Sequence, residues 1–258
     1  MGYNTATCTM KKTHYFAMLF IAATFISTPL LLSSCGGGGG DNGGGSVKAS
    51  KKYPKNEVFG NIIALYCQYR DQDSVLRAQF EKDRDKLVEK YAEKPEKMHA
   101  EWEKLNDQFK AEQLKNSGEF VTIIEKEVEA NNLIGKKIPF EQDATDMGFE
   151  VTDLVLSVVN PSGGKSSSPS PRLSLEFEGT VKITDISKFT KAFKYEHWFD
   201  YTPLDANGNP CTEAHPNKIS VEQKDAAEAT FNLGRNGGVN EKDYLNFAKM
   251  KFEKHVFE

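Results

Sequence analysis

The run Arg172-Leu-Ser-Leu-Glu-Phe-Glu-Gly-Thr-Val-Lys-Ile-Thr184 decides the fold. Leu173, Leu175, Phe177, Val181 and Ile183 alternate with Ser174, Glu176, Glu178, Lys182 and Thr184. A period of two puts successive side chains on opposite faces of a strand, one apolar and one wet. Such a strand belongs to an antiparallel sheet with one solvated face. Gly179 interrupts the apolar series on the inward face, which predicts a bulge or a close backbone approach.

The same pattern spreads outward from this strand. Phe149–Val159 forms a second strand. Its parity changes from Phe149 and Val151 to Leu154, Leu156 and Val158, so a β-bulge is expected near Thr152-Asp153. Between the two strands, Pro161 to Pro171 reads as a long, polar, mobile linker. Ile138-Pro-Phe140 forms a short leading strand, and Phe193, Tyr195, His197, Phe199 and Tyr201 alternate in a fourth. Asn207-Gly208 marks a turn, because both residues tolerate positive φ. Shorter runs follow at Ile219–Val221 and Ala229–Leu233, and Tyr244–Val256 is read as the strand that closes a sandwich of about seven.

Before these strands the period changes. From Glu57 to Asn131, apolar residues recur at helical spacing: Leu76, Phe80, Leu87 and Tyr91, then Met98, Trp102, Leu105 and Phe109, then Ile123, Ile124 and Val128. Pro95 suits the first position of a second helix, where its missing N–H costs nothing. The section predicts two helices, 57–93 and 95–131, folded back as an antiparallel hairpin. Its charges mainly solvate the surface, since several i,i+4 neighbours, such as Glu81 with Asp85, repel. A hairpin packed on its own β domain is favoured over a client-gripping arm, which would carry more exposed apolar or basic surface.

The first 35 residues carry an address. Lys11-Lys12 precedes an uncharged apolar run from Tyr15 to Leu32, which ends in Leu32-Ser33-Ser34-Cys35. The ending resembles the lipobox of bacterial lipoproteins: an aliphatic residue, two small residues, then Cys. The resemblance implies cleavage before Cys35 and acylation of its thiol, and hence a bacterial cell envelope protein at the outer membrane or cell surface. The alternative, a transmembrane anchor, is weakened by the short length of the run and by Pro29. Gly36 to Ser46 is nearly all Gly, a flexible tether that continues to about Pro54.

Of the 258 residues, 33 are basic and 37 acidic, for a formal net charge of −4. This balance argues against nucleic acid as a partner. Cleavage removes Lys11 and Lys12, leaving 31 basic residues against 37 acidic and a net charge of −6. A body of that charge is expected to gain nothing from an anionic lipid surface, so attachment should rest on acyl chains.

Val158-Val159-Asn160-Pro161-Ser162, followed by the long strand, by Phe199-Asp200-Tyr201 and by Asp205-Ala-Asn-Gly208, is similar to the immunoglobulin-like, telokin-like domains of bacterial lipoproteins, including the FxLYD type. The resemblance covers about 136–258. It departs in the order Phe-Asp-Tyr and in a longer spacing to the Gly, and it implies a fold without chemistry of its own.

The expectation is therefore an α+β chain, an N-terminal antiparallel helical hairpin followed by an Ig-like antiparallel β-sandwich. Residues 1–34 are a signal peptide, 35–55 a tether, 56–132 the hairpin and 136–258 the sandwich. The expected role is a membrane-held binding or scaffolding module, with another envelope protein as partner. The alternatives are a holdase that uses the hairpin, or a hydrolase whose site is not visible in sequence.

Motifs for chemistry are sparse. Asp205-Ala-Asn-Gly-Asn209 begins like a Ca²⁺ loop, but Pro210 and Pro216 stand where such a loop needs Gly and Glu, so a hairpin turn is favoured. His197, His215 and Glu213 lack zinc-ligand spacing. Gly234-Arg-Asn-Gly-Gly238 lacks the Lys-Ser/Thr of a phosphate loop. No metal, cofactor or catalytic residue is assigned. Cys67 and Cys211 remain after acylation of Cys35 and form a candidate disulfide in an oxidising compartment; the alternative is that Cys67 is simply a buried helix residue.

Overall fold

The computed structural model describes residues 53–163, 169–191, 193–234 and 244–256. It is an α+β chain. Among the described residues two helices, α1 (Ile62–Tyr91) and α2 (Pro95–Ala130), precede eight strands: β1 (Phe140–Gln142), β2 (Phe149–Ser162), β3 (Arg172–Ile183), β4 (Thr190–Lys191), β5 (Tyr195–Asp205), β6 (His215–Val221), β7 (Glu228–Leu233) and β8 (Phe247–Lys254).

Local chemistry sets the helix ends. The chain before α1 makes a tight turn in which the Asn56 N–H donates to Gly60 O at 2.9 Å, with Gly60 at φ +64. Asn61 O then accepts the Leu65 N–H, so the helix begins five residues later than its periodicity predicts. Pro95 does open α2. At the other end of α2, Asn132 adopts φ 48, its N–H bonds to Glu129 O, and the Leu133 N–H bonds to Val128 O. These are the paired bonds of a Schellman cap, with Asn in place of the usual Gly.

The chain divides into two compact units, and the division falls inside both helices. Among the described residues one unit is 74–112. There Leu87, Met98 and Leu105 are at most 1% exposed and form a small core, with Phe80, Val88, Tyr91 and Trp102 packed against it. Phe80 stacks on Phe109, so the strip is filled by residues of the two helices themselves. Ion pairs run at i,i+3, as in Lys104–Glu101 (2.8 Å), Lys86–Asp83 (2.5 Å) and Arg84–Glu81.

The other unit, from 53 to 73 and from 113 onward, holds the rest of both helices and all the strands. The helices are antiparallel here: as α1 advances, its partners on α2 retreat, from Asn61 with Glu127 to Tyr66 with Phe120 to Asp73 with Gln113. Their apolar faces join the strand core. That core includes Ile62, Ile63, Phe120 and Ile124 together with Leu154, Leu156, Leu175 and Phe177. Within this unit the helices therefore pack on the β region, as the sequence favours. Each such side chain withdrawn from water contributes about 1.5–3 kcal/mol.

The strands form two sheets. One has the order β2-β3-β7, all antiparallel; the other runs β1-β8-β5-β4 with β6 on the far edge of β5. The short β1 pairs parallel with β8, the exception to an otherwise antiparallel arrangement. Aromatic rings link the sheets: Phe149 to Phe199 at 5.6 Å, Phe199 to Phe231 at 5.2 Å, and Phe231 to Phe252 at 5.7 Å. The expected bulge lies between Val151 and Asp153, and a second lies between Leu156 and Val158. Tyr244–Val256 does supply a strand, although β8 sits between β1 and β5 and not at an edge. Two further boundaries differ from expectation. Pro161, read as linker, is inside β2, whose outer end tolerates a residue without an N–H. The leading strand begins at Phe140, while Ile138 donates its N–H to Leu154 O at 2.8 Å beside β2.

Candidate functional site

The unit that carries the strands has a cleft of about 610 Å³ beside the turn that precedes α1. It is lined by Lys55 and Glu57 before α1, by Lys136 and Lys137 after α2, by Asp205 and Asn207 after β5, and by the start of β8.

Asn56, 6% exposed, organises this place. Its Oδ1 accepts the N–H groups of Val58 (2.8 Å) and Phe59 (2.9 Å), closing the turn before α1. Its Nδ2 donates to Leu245 O at 3.2 Å and Phe247 O at 2.8 Å. Beside it Phe59, fully buried, stacks on Phe247 at 5.0 Å and meets Phe177 at 6.2 Å, so the turn is held by a ring as well as by an amide.

The charges around the cleft are not equivalent. Lys136 Nζ donates to Val58 O at 2.6 Å and Glu57 O at 3.2 Å, so it is held by backbone carbonyls of the turn before α1. Lys137, exposed, pairs with Asp153 at 3.1 Å. The Asp205 carboxylate is taken up by its own turn: Oδ1 accepts Asn207 N–H and Asn209 N–H, both at 2.8 Å, and Oδ2 accepts Asn209 Nδ2 at 3.1 Å. The Asn209 side chain, then its backbone N–H, holds the Asp205 carboxyl below its ordinary range. The cleft is therefore lined by charges of both signs, each of Lys136, Lys137 and Asp205 already held by a partner within the fold.

The residues singled out by sequence fall in separate places. Cys35 and the rest of 1–52 lie outside the described residues, as do 235–238 of the Gly-rich run. Asp205-Ala-Asn-Gly208 is a turn, with Gly208 at φ +83 and its N–H on Asp205 O. The donors gathered on Asp205 occupy the oxygens that a Ca²⁺ ion would need. His197 lies on β5 between the rings of Phe149 (5.8 Å) and Phe189 (5.3 Å), with Nδ1 3.0 Å from Lys188 O. His215 packs on Tyr201. Among the described residues no group of three or more His, Cys, Asp or Glu is placed to hold a metal ion. Cys67 and Cys211, the candidate disulfide, stand as thiols. Cys67 is 3% exposed in the apolar first turns of α1, and Cys211 is half-buried after β5, its N–H on Pro203 O at 2.8 Å.

Sequence reasoning passed over Asn56, Lys136 and Lys137. A signal for the lysines was present in the local charge: Lys136 and Lys137 are adjacent just after Gly135, with no acid from Asn131 to Phe140. Total charge conceals such a cluster.

Comparison of the chain with protein-family models, with curated proteins and with solved structures gave no match. Among the described residues no helix is long and apolar enough to cross a membrane.

Proposed function

We propose that this chain is a lipid-anchored protein of the bacterial cell envelope whose folded body is a non-enzymatic binding or scaffolding module for another envelope protein. The observation that carries this reading is Leu32-Ser33-Ser34-Cys35 after Lys11-Lys12 and an uncharged apolar run, followed at once by a Gly-rich tether. The tether leads to a turn that Asn56 pins to the start of β8. A body joined to two or three acyl chains through such a tether stays at the membrane while remaining free to reorient.

The finer fold is an immunoglobulin-like sandwich. The order β2-β3-β7 supports it as strands A, B and E, and β6-β5-β8 supports it as C′, C and F, with β1 beside the last. Such sandwiches present loops and sheet faces to partners. The apolar strip of 74–112 is filled from within, which favours this reading over a holdase arm.

The test is the mass of the protein isolated from membranes of the native cell. The expected molecule begins at Cys35 and carries a diacylglyceryl thioether. A molecule that begins at Met1, or whose Cys35 is unmodified, overturns the reading.

A further inference from the structure

We infer that the solvent face of β5 around Trp198 is a binding site for a neutral carbohydrate, with the indole as platform and the polar side chains beside it as partners for hydroxyl groups. The inference goes beyond the anchored-module reading and does not depend on the lipid. β5 buries Phe199, and residues of the other parity face away from the core. Glu196, Trp198 and Asp200 therefore share the outer face, spread over about 13 Å of strand. Trp198, at the centre of this row, is 39% exposed. Lys218 of β6 is its cross-strand neighbour. From the opposite side of β5 comes His255, just after β8, its ring centroid 6.1 Å from that of Trp198.

The polar groups are fixed in place by one another. Glu196 Oε1 accepts Lys218 Nζ at 2.8 Å and Ser220 Oγ at 3.3 Å, and Asp200 Oδ1 lies 2.8 Å from His255 Nδ1. Among the described residues Glu196 Oε2 and Asp200 Oδ2 take no hydrogen bond. The row thus places a carboxylate oxygen, already oriented by a partner, on each flank of the indole. The Lys218 hydrogen bond holds Glu196 below its ordinary range, which keeps it an acceptor. Side chains held in this way lose less freedom when a ligand arrives.

This chemistry is selective. A sugar ring offers C–H bonds on one face, which meet the electron-rich face of an indole. Its hydroxyls, at the edge, donate to carboxylates in charge-assisted bonds. A cation is disfavoured on the ring, because Lys218 Nζ already lies over it at 5.7 Å from the centroid. A phosphate would meet two carboxylates. An apolar protein surface would take the Glu196–Lys218 and Asp200–His255 pairs out of water, with the desolvation penalty that brings. A hydroxyl-rich ligand replaces that water with hydrogen bonds.

The experiment uses residues 35–258 with Cys35→Ser, which keeps every described residue. Migration is measured in native gels that contain soluble starch, galactomannan, hydroxyethyl cellulose or laminarin, with polygalacturonate as the anionic control. The expected result is retardation by at least one of the four neutral polymers and none by polygalacturonate. Trp198→Ala should weaken binding about thirtyfold, the scale for truncating a central Trp of a binding surface. Trp198→Phe, which keeps a ring, should retain part of it, and Glu196→Gln should weaken it about fivefold. Phe193→Ser, at an aromatic residue 91% exposed outside the row, should leave it unchanged. Thermal unfolding checks each variant, and Trp198→Phe with Glu196→Gln decides the matter if Trp198→Ala loses its structure. No retardation by any neutral polymer, retardation that survives Trp198→Ala, or an equal loss with Phe193→Ser overturns the inference. Self-association that Trp198→Ala abolishes, without retardation by a polymer, also overturns it and assigns the face to a contact between copies. Because this chain is unacylated, the result is independent of the mass of the native protein, and either proposal can fail alone.

Discussion

Asn56 Nδ2 donates to Phe247 O at 2.8 Å across 191 positions of the chain. One buried amide thus ties the turn before α1 to the start of β8. The same side chain accepts the N–H groups of Val58 and Phe59, so its removal orphans donors on one side and carbonyls on the other.

Asn56→Ala should therefore cost about 2–3 kcal/mol, the penalty for leaving buried backbone groups unpaired. Urea unfolding is the measurement: the midpoint should fall with the slope unchanged. A variant as stable as the parent would show that water takes over these bonds.

Gly179 stands opposite Phe231 in the β3–β7 register, and a Cβ at Gly179 would come within 2.1 Å of the Phe231 ring. The aromatic covers the strand backbone in place of a side chain. Gly179→Ala should overpack this contact and lower stability by about 1–3 kcal/mol. Pairing it with Phe231→Leu should recover part of the loss, which a double-mutant cycle in thermal unfolding would read as coupling between the two positions.

Leu105 is fully buried with Leu87 and Met98 in the small core of 74–112. Leu105→Ala should cost about 2–4 kcal/mol, the usual range for a truncated core leucine. Amide hydrogen exchange localises the effect. Protection should fall across 74–112 and persist in β2, β3 and β8, whose core is a separate cluster.

Acid should destabilise the fold through a set of held carboxylates. Side-chain hydrogen bonds from Asn209, Lys188 and Lys218 hold Asp205, Asp146 and Glu196 below their ordinary values. A carboxyl depressed in the folded state stabilises it at pH values above the unfolded value, about 4. That contribution is lost as the pH falls through the folded value. Unfolding midpoints should therefore be flat on this account from pH 7 to about 5 and decline below about 4. Asp205→Asn, which cannot titrate, should make the decline shallower; an unchanged slope would remove Asp205 from the set.

Much of the architecture was legible because it depends on period and on turn chemistry. The alternation in 172–184 gives β3, the change of parity at Thr152-Asp153 gives the bulge in β2, and Pro95 gives the start of α2. Gly179 was legible as a close approach, though the ring that covers it was not. The cleft was not legible, because its lysines come from segments some eighty residues apart and its organising Asn has no local pattern. The helical strip also misled in part. It omits Phe120, and it is interrupted by the buried polar pair Asp73 and Gln113, 2.8 Å apart, which hydropathy reads as surface.

The amino-acid sequence by itself determines the order of helices and strands, the Gly-rich tether and the lipobox-like ending at Cys35, because each is written in neighbouring residues. Only the tertiary structure decides that the two compact units divide inside the helices, that β8 lies between β1 and β5, and that Asn56, Lys136 and Asp205 line one cleft. Those facts depend on which buried faces and unpaired backbone groups find each other across the chain, and no local period encodes that choice.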